Sequence, residues 1–161
     1  MSPPAKDRPA DLVTGTLESA LYAKDLDEAH GFYGGILGLE VIGRVPGRHV
    51  FYRVGESVLL IFNADATSRP PARQSRLPVP PHGATGPGHY CFAVPGDLLD
   101  RLRDALVAAG VVIEQQVVWP GGARSFYARD PAGNSIEFAD PALWTAEGHN
   151  EKAAQTRRPV P

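Results

Sequence analysis

The sequence lacks the features of secreted, membrane-spanning and nucleic-acid-binding proteins. Its 161 residues include one cysteine, Cys91, so neither an internal disulfide nor a multi-cysteine zinc motif can form. No apolar run is long enough to span a membrane, and the start of the chain, MSPPAKDRPADLV, has no signal-peptide core. The net charge of -2 gives no basic field that would hold a nucleic acid. We therefore expect a cytoplasmic protein that acts on a small molecule, and any metal must be held by histidine and carboxylates.

Proline is abundant, and its positions divide the chain. Six of the 16 prolines lie between Pro70 and Pro87, in a stretch without a helix or strand pattern. We interpret residues 68–87 as a connector between a first module, residues 15–67, and a second module, residues 88–144. The polar, aperiodic ends, residues 1–14 and 145–161, are predicted to be flexible tails.

The two modules have the same pattern of elements, which indicates an internal repeat. Each is predicted to contain a strand, a helix and three further strands. Asp25 and Asp97 are predicted helix caps, and Phe-Tyr pairs at Phe51 and Phe126 begin matching hairpins. The predicted fold is therefore α+β, with paired βαβββ modules that form a curled mixed sheet around a pocket and helices outside.

Alternation along three strands selects one ionisable residue on each. Apolar residues mark the helix-facing side, for instance Phe92 and Ile136, which leaves Glu18, His89 and Glu137 on the opposite faces. A carboxylate in a concave site is costly unless it is paired or bound to a cation. One imidazole and two carboxylates are a plausible partial ligand set for a divalent metal.

The sequence resembles the vicinal oxygen chelate superfamily, which includes glyoxalase I, extradiol dioxygenases and bleomycin-binding proteins. The motifs that carry the resemblance are DLDEAHGFYGGILGLEV, GHYCFAV and FYARDPAGNSIEFADP. It implies metal ligands at Glu18, His89 and Glu137. It also implies a fourth glyoxalase ligand on the last strand of the first module, where the matching position is taken to be Leu59. Many relatives have His or Gln where this chain has Glu18.

The resemblance implies a metal-dependent enzyme of glyoxalase-like type, with lyase, isomerase or epimerase chemistry on a substrate with vicinal oxygens. The expected cofactor is one divalent ion, Mn, Zn, Ni, Fe or Mg, and Glu137 or Glu18 would also accept a proton. Two alternatives stay open: an Fe(II) extradiol-type dioxygenase, and a metal-free protein that binds a drug or metabolite. A thiol transferase is a further alternative.

Four further residues are candidates for binding substrate. Tyr127 matches a pocket tyrosine of the fosfomycin-resistance branch, while strand alternation directs His49 and Arg53 inward and brings Asn63 to the rim. His82 is interpreted as part of a surface loop of the connector. The resemblance and the exposed sheet edges predict a homodimer, in which the modules pair within a chain or between chains.

Overall fold

The computed structural model describes residues 8–145, and they form two modules of the same topology. Of the predicted tails, residues 1–7 and 146–161 lie outside the described part. The chain starts with a 3-10 turn, Pro9–Leu12. The first module then contains β1 (Glu18–Tyr22), α1 (Leu26–His30), which continues as a π-helical turn (Gly31–Ile36), β2 (Val41–Val45), β3 (His49–Val54) and β4 (Ser57–Phe62).

The second module repeats this order after the connector. A four-residue helix, α2 (Ala64–Thr67), precedes the connector and adds to the elements predicted for the first module. The module contains β5 (His89–Ala93), α3 (Leu99–Ala108), β6 (Ile113–Val118), β7 (Arg124–Arg129) and β8 (Ser135–Ala139), followed by a 3-10 turn (Pro141–Trp144). The predicted βαβββ repeat is confirmed.

Each module has its own four-stranded sheet with a crossover. The strand orders are β1-β4-β3-β2 and β5-β8-β7-β6, with the first strand parallel to the last and the others antiparallel. Both sheets carry an irregularity at the matching point, between Val41 and Gly43 and between Ile113 and Gln115. Within residues 8–145, no strand of one sheet is paired with a strand of the other sheet.

The helix-facing sides of both sheets contribute to one apolar core. Leu59, Ile61, Ile136 and Phe138 are at most 2% exposed and belong to the same buried cluster. Burying each such side chain contributes about 2 kcal/mol through the hydrophobic effect. The faces opposite the helices are therefore the ones left for ligand binding.

A buried polar network joins the two modules. The Tyr33 hydroxyl, at the end of the first helix, donates to Asp130 Oδ2 across 2.7 Å. Asn134 Nδ2 donates to the same oxygen and to the Tyr22 carbonyl, and Asn134 Oδ1 accepts from the Gly88 backbone. Because these groups are almost fully buried, their hydrogen bonds fix the relative position of the modules.

The helix starts were predicted with unequal success. Asp25 caps α1 by accepting from the backbone N–H groups of Asp27 and Glu28, as expected. The prediction that Asp97 caps the second helix is wrong: α3 begins at Leu99, because a turn closed by Leu98 N–H to the Pro95 carbonyl comes first. The displaced start leaves Leu98 exposed, while Leu99 and Leu106 face the core.

Candidate functional site

Two of the predicted ligands, His89 and Glu137, meet on the open face of the second sheet. Parallel pairing places β5 beside β8, with Cys91 opposite Glu137 and His89 opposite Ser135. His89 Nε2 lies 3.4 Å from Glu137 Oε2. The Glu137 side chain is 7% exposed and that of His89 is 53% exposed, so the imidazole covers the carboxylate from the solvent side. The alternation argument is confirmed for this pair.

Tyr127 orients the Glu137 carboxylate. The antiparallel pairing of β7 and β8 places the two residues opposite each other, and the Tyr127 hydroxyl donates to Glu137 Oε1 across 2.8 Å. Burial and this hydrogen bond raise the pKa of Tyr127 to about 12. The phenol therefore remains a proton donor at neutral pH, and Oε2 is the oxygen directed toward His89.

Cys91 borders the same carboxylate as a neutral thiol. Although the residue is exposed, partial burial of the thiol and then the nearby Glu137 charge raise its pKa to about 12. A thiol with that pKa is protonated at neutral pH and is a poor nucleophile or metal ligand. It therefore presents a small, uncharged side chain on this face.

Glu18 does not join this pair within one chain. It is exposed at the start of β1 and borders a depression on the open face of the first sheet, whose lining contains neither His89 nor Glu137. Across residues 8–145, no three His, Cys, Asp or Glu side chains are close enough together to hold a metal ion. A single chain thus brings together two of the three predicted ligands, and the three-residue site stays a prediction.

The matching position for a fourth ligand was wrongly taken to be Leu59. Leu59 is fully buried on the helix side of the sheet, because it pairs with Ser19 and Tyr52. The open-face positions of β4 are Val58, opposite Glu18, Leu60, opposite Ala20, and Phe62, opposite Tyr22. Since all three are apolar, β4 supplies no metal ligand.

The other predicted substrate residues occupy different places. His49 lies on the open face and lines the depression beside Glu18, as predicted, whereas Arg53 is exposed on that face and does not line the depression. Asn63 caps α2 by accepting from the Asp65 N–H and borders a separate depression near Lys24. Contact between these residues and a substrate stays a prediction.

The connector covers part of the open face of the first sheet. It forms the outer wall of a cavity of about 570 Å³, whose inner wall includes Phe51, Leu60 and Phe62. His82 lies in a surface loop of the connector, as interpreted, but its side chain contacts the first sheet. It is half-buried, its Nδ1 lies 2.8 Å from the Tyr22 hydroxyl, and its ring lies edge-on to Phe62. Sequence reasoning missed this contact, because hydrogen bonding across 60 residues leaves no local pattern.

His49, which lines this cavity, has one buried polar atom without a partner in the described part of the chain. Its Nδ1 is buried and has no hydrogen-bond partner among residues 8–145, while its ring stacks on Phe51 with centroids 4.0 Å apart. Burial, followed by the Arg48 charge, lowers the pKa of His49 below its usual 6.5. The imidazole is therefore neutral at physiological pH and offers a free hydrogen-bonding group.

The titration of His49 is expected to show that burial and the Arg48 charge both lower its pKa. Its midpoint should lie below 6.5 in the wild type and rise toward that value in Arg48→Gln, because a neighbouring positive charge opposes protonation. Imidazole resonances followed by NMR against pH measure both midpoints. Arg73→Gln, in the connector but outside the cavity lining, is the control and should leave the midpoint unchanged. A midpoint above 6.5 in the wild type would contradict the burial described here.

The fold and the open-face residues together define a class of protein. Two βαβββ repeats, each with an open face that carries ionisable side chains, are the architecture of paired-module small-molecule-binding proteins and enzymes. The model of the Glyoxalase/Bleomycin resistance protein/Dioxygenase superfamily matches residues 15–138. The chain belongs to this superfamily, which confirms the family resemblance.

Solved structures agree with this membership. A lactoylglutathione lyase from Agrobacterium tumefaciens is 40% identical to this chain, with a TM-score of 0.78, and the alignment covers 83% of this chain and 98% of that one. A glyoxalase/dioxygenase from Nostoc punctiforme is 24% identical, with a TM-score of 0.59 and coverage of 83% and 95%. The second likeness shows the fold alone. No curated protein matches the chain at a significant level. In residues 8–145, no helix is long and apolar enough to cross a membrane.

Proposed function

We propose that the protein is a metal-dependent lyase of the glyoxalase I type. The observation that carries the proposal is the His89–Glu137 pair, with a buried carboxylate aligned by Tyr127, in a chain 40% identical to a lactoylglutathione lyase. The proposed reaction interconverts S-lactoylglutathione with methylglyoxal and glutathione. It requires a proton to move between neighbouring carbons that both bear oxygen.

His89 and Glu137 are suitable ligands for a divalent cation, but they are two of the three that the proposed site needs. His89 and Glu137 supply one imidazole nitrogen and one carboxylate oxygen from a single chain, and Glu18 would be the third ligand. A set of two carboxylates and one histidine suits Mn, Zn, Ni, Fe or Mg, with positions left for the substrate. When bound, such an ion stabilises negative charge that develops on neighbouring substrate oxygens.

Glu137 is the proposed proton acceptor. Its carboxylate is desolvated, and the Tyr127 hydroxyl occupies Oε1, which leaves Oε2 as the oxygen that takes the proton. His89 holds that oxygen in place from the exposed side, and the small Cys91 side chain leaves room for the substrate. Glu18 is the second candidate for the proton acceptor.

The third ligand is proposed to come from a second copy of the chain. The two sheets are separate, and the helix-facing sides of both are buried in one core, so their open faces are not joined within a chain. In a symmetric dimer, the first module of each copy would face the second module of the other, and two identical sites would form. The proposed homodimer is thus of the kind in which modules pair between chains.

The metal-free alternative remains the second candidate. It is favoured by the apolar open face of the first sheet, where Val58 and Leu60 stand beside Glu18. In that case the protein would bind a small molecule without turnover. An extradiol dioxygenase site would need two histidines and one carboxylate, and His89 is the only histidine beside Glu137 in the described part of the chain.

One experiment separates these functions. Purified protein is loaded separately with Zn, Ni, Mn or Fe(II), the last under anaerobic conditions. Each sample is assayed for metal stoichiometry and for conversion of the methylglyoxal–glutathione adduct. The iron-loaded sample is also assayed in air for catechol cleavage. We expect one ion per chain and turnover of the adduct, with at least tenfold weaker metal binding in His89→Ala. Asp97→Ala, an exposed carboxylate remote from the pair, is the control. Full turnover without bound metal would refute the proposal, and catechol cleavage alone would favour the dioxygenase.

A further inference from the structure

The cavity beneath the connector has the composition of a ligand site. Its volume of about 570 Å³ is typical of small-molecule pockets. Leu60 and Phe62 are at most 9% exposed, although they lie on the side of the sheet away from the helices. The connector therefore shields this face, and the apolar surface is arranged around a cavity.

Aromatic rings form one end of the cavity. His49 is stacked on Phe51, and Phe62 stands edge-on to His49, Phe51 and His82 at centroid distances of 5.9, 5.4 and 4.5 Å. Rings in this arrangement present both faces and edges to a third planar group, which favours an aromatic ligand over a saturated one of the same size.

Two arginines give this cavity an anion preference. Arg48 and Arg69 line it, and neither forms an ion pair with a carboxylate in residues 8–145. One guanidinium nitrogen of Arg48 donates to the Ala66 carbonyl, which fixes the position of the side chain. Guanidinium groups bind carboxylates through paired, charge-assisted hydrogen bonds. An anionic group on the ligand would supply the carboxylate partner that Arg48 and Arg69 lack in residues 8–145.

The one carboxylate of the lining lies at the other end. Glu18 pairs with Val58, while His49 pairs with Phe62, four residues further along β4. At the usual rise of a strand this separates them by roughly 13 Å. The positive charge and the aromatic rings thus share one end, away from Glu18.

The unpartnered nitrogen of His49 adds a third requirement. A buried polar atom without a hydrogen bond is costly, and Nδ1 is such an atom in this structure. Nδ1 has no accessible surface where it lies, so the ligand reaches it after a half-turn of the imidazole about the Cβ–Cγ bond, which keeps the ring stacked on Phe51. A hydroxyl group can then donate to Nδ1 or accept from it, so it satisfies either tautomer of the imidazole.

From these observations we infer that the cavity between the first sheet and the connector binds an aromatic ring that carries a carboxylate and a hydroxyl group. Stacking against the rings of His49, Phe51 and Phe62 holds the ring, Arg48 and Arg69 hold the carboxylate, and His49 Nδ1 bonds the hydroxyl. This ligand differs from the methylglyoxal–glutathione adduct, which has no aromatic ring, so its binding does not rest on the proposed function, although Glu18 borders the same cavity.

The test uses three probes on full-length protein freed of metal by a chelator. These are 3-hydroxybenzoate, benzoate and cyclohexanecarboxylate, titrated while the imidazole resonances of His49 and His82 are followed by NMR. We expect cyclohexanecarboxylate to bind at least about fivefold more weakly than benzoate, because it cannot stack. We expect 3-hydroxybenzoate to bind more tightly than benzoate. No shift of either imidazole with 3-hydroxybenzoate, or equal affinities for all three probes, would overturn the inference.

Substitutions assign the contacts. Arg48→Gln combined with Arg69→Gln is expected to weaken 3-hydroxybenzoate binding about tenfold, whereas Arg73→Gln combined with Arg76→Gln should have no effect. His49→Phe keeps the stacked ring and should remove the preference for 3-hydroxybenzoate over benzoate, as measured through His82. Unchanged affinity in the first double variant would refute the anion site.

The outcome is independent of the metal site. Repeating the titration with Zn-loaded protein shows whether the two sites interact. If the metal-free protein binds the probes but the purified protein takes up no metal ion, the proposed lyase is refuted and this inference stands. If the protein binds one metal ion per chain but none of the probes, this inference is refuted and the proposed lyase stands.

Discussion

A mixed dimer of Glu18→Ala and Glu137→Ala chains is expected to recover about half of the wild-type turnover, although each variant alone is expected to be inactive. The reason is geometric. Glu18 lies on one open face, and the His89–Glu137 pair lies on another that the same chain does not bring near it. If each site combines the first module of one copy with the second module of the other, the mixed dimer contains one site with every ligand and one that lacks two.

Co-expression with two different affinity tags, followed by sequential purification, isolates the mixed dimer for assay. Bound metal, measured by elemental analysis, should follow the same proportion as turnover. The matched control is a mixed dimer of His89→Ala and Glu137→Ala chains. Both substitutions lie in the second module, so every shared site is damaged and turnover should stay at background.

The result discriminates between the two ways in which modules can pair. Sites built within one chain would leave both mixed dimers inactive, since each chain then carries its own defect. That outcome, or a protein that sediments only as a monomer at micromolar concentration, would exclude the exchanged arrangement. The lyase would then require another third ligand, because the described part of one chain offers none beside His89 and Glu137.

The sequence predicted the repeat and the His89–Glu137 pair because both depend on local alternation. In β5 and β8, apolar residues such as Phe92 and Ile136 mark the core side, so the opposite residues could be read without coordinates. Parallel pairing of two matching strands then brings His89 and Glu137 together. The same reasoning placed His49 on the open face of the first sheet.

Three features could not be predicted in this way. The run SVLLIF is apolar on both faces, so alternation does not distinguish Leu59 from Leu60, and the position of the missing fourth ligand was misassigned. The connector has no periodicity, so its closure over β4 and the Tyr22–His82 contact were not visible. The distance between Glu18 and the His89–Glu137 pair depends on how the modules pack, which strand patterns do not encode.

Module packing depends on a few buried polar residues, and Asn134→Ala is expected to cost about 3 kcal/mol of the free energy of unfolding. Asn134 is 2% exposed, and its side chain makes three hydrogen bonds: Nδ2 donates to Asp130 Oδ2 and to the Tyr22 carbonyl, and Oδ1 accepts from the Gly88 N–H. Its backbone N–H also donates to Asp130 Oδ1. The backbone donation to Asp130 survives the substitution. Loss of the side chain leaves the Tyr22 carbonyl and the Gly88 N–H without these partners. It also removes one of the hydrogen bonds to the buried Asp130 carboxylate.

The same substitution at Asn63 provides the matched control. Asn63 also bonds a backbone N–H and a carbonyl, those of Asp65 and Lys24, but it is half-exposed, so water can replace its contacts. Asn63→Ala should therefore cost about 1 kcal/mol or less. Urea unfolding followed by circular dichroism measures both variants at neutral pH. Equal losses would mean that the network around Asn134 does not hold the modules together.

The network also predicts a functional consequence of module packing. Asn134 lies outside the open faces, so it touches neither the His89–Glu137 pair nor the cavity beneath the connector. At a temperature where Asn134→Ala is still folded, 3-hydroxybenzoate should bind the first module as in the wild type, since that cavity is built from β3, β4 and the connector. Turnover should fall, because shared sites require the two modules of each chain to present their open faces at a fixed angle. Turnover equal to that of the wild type in a folded, destabilised variant would show that the modules are positioned by the dimer contact instead.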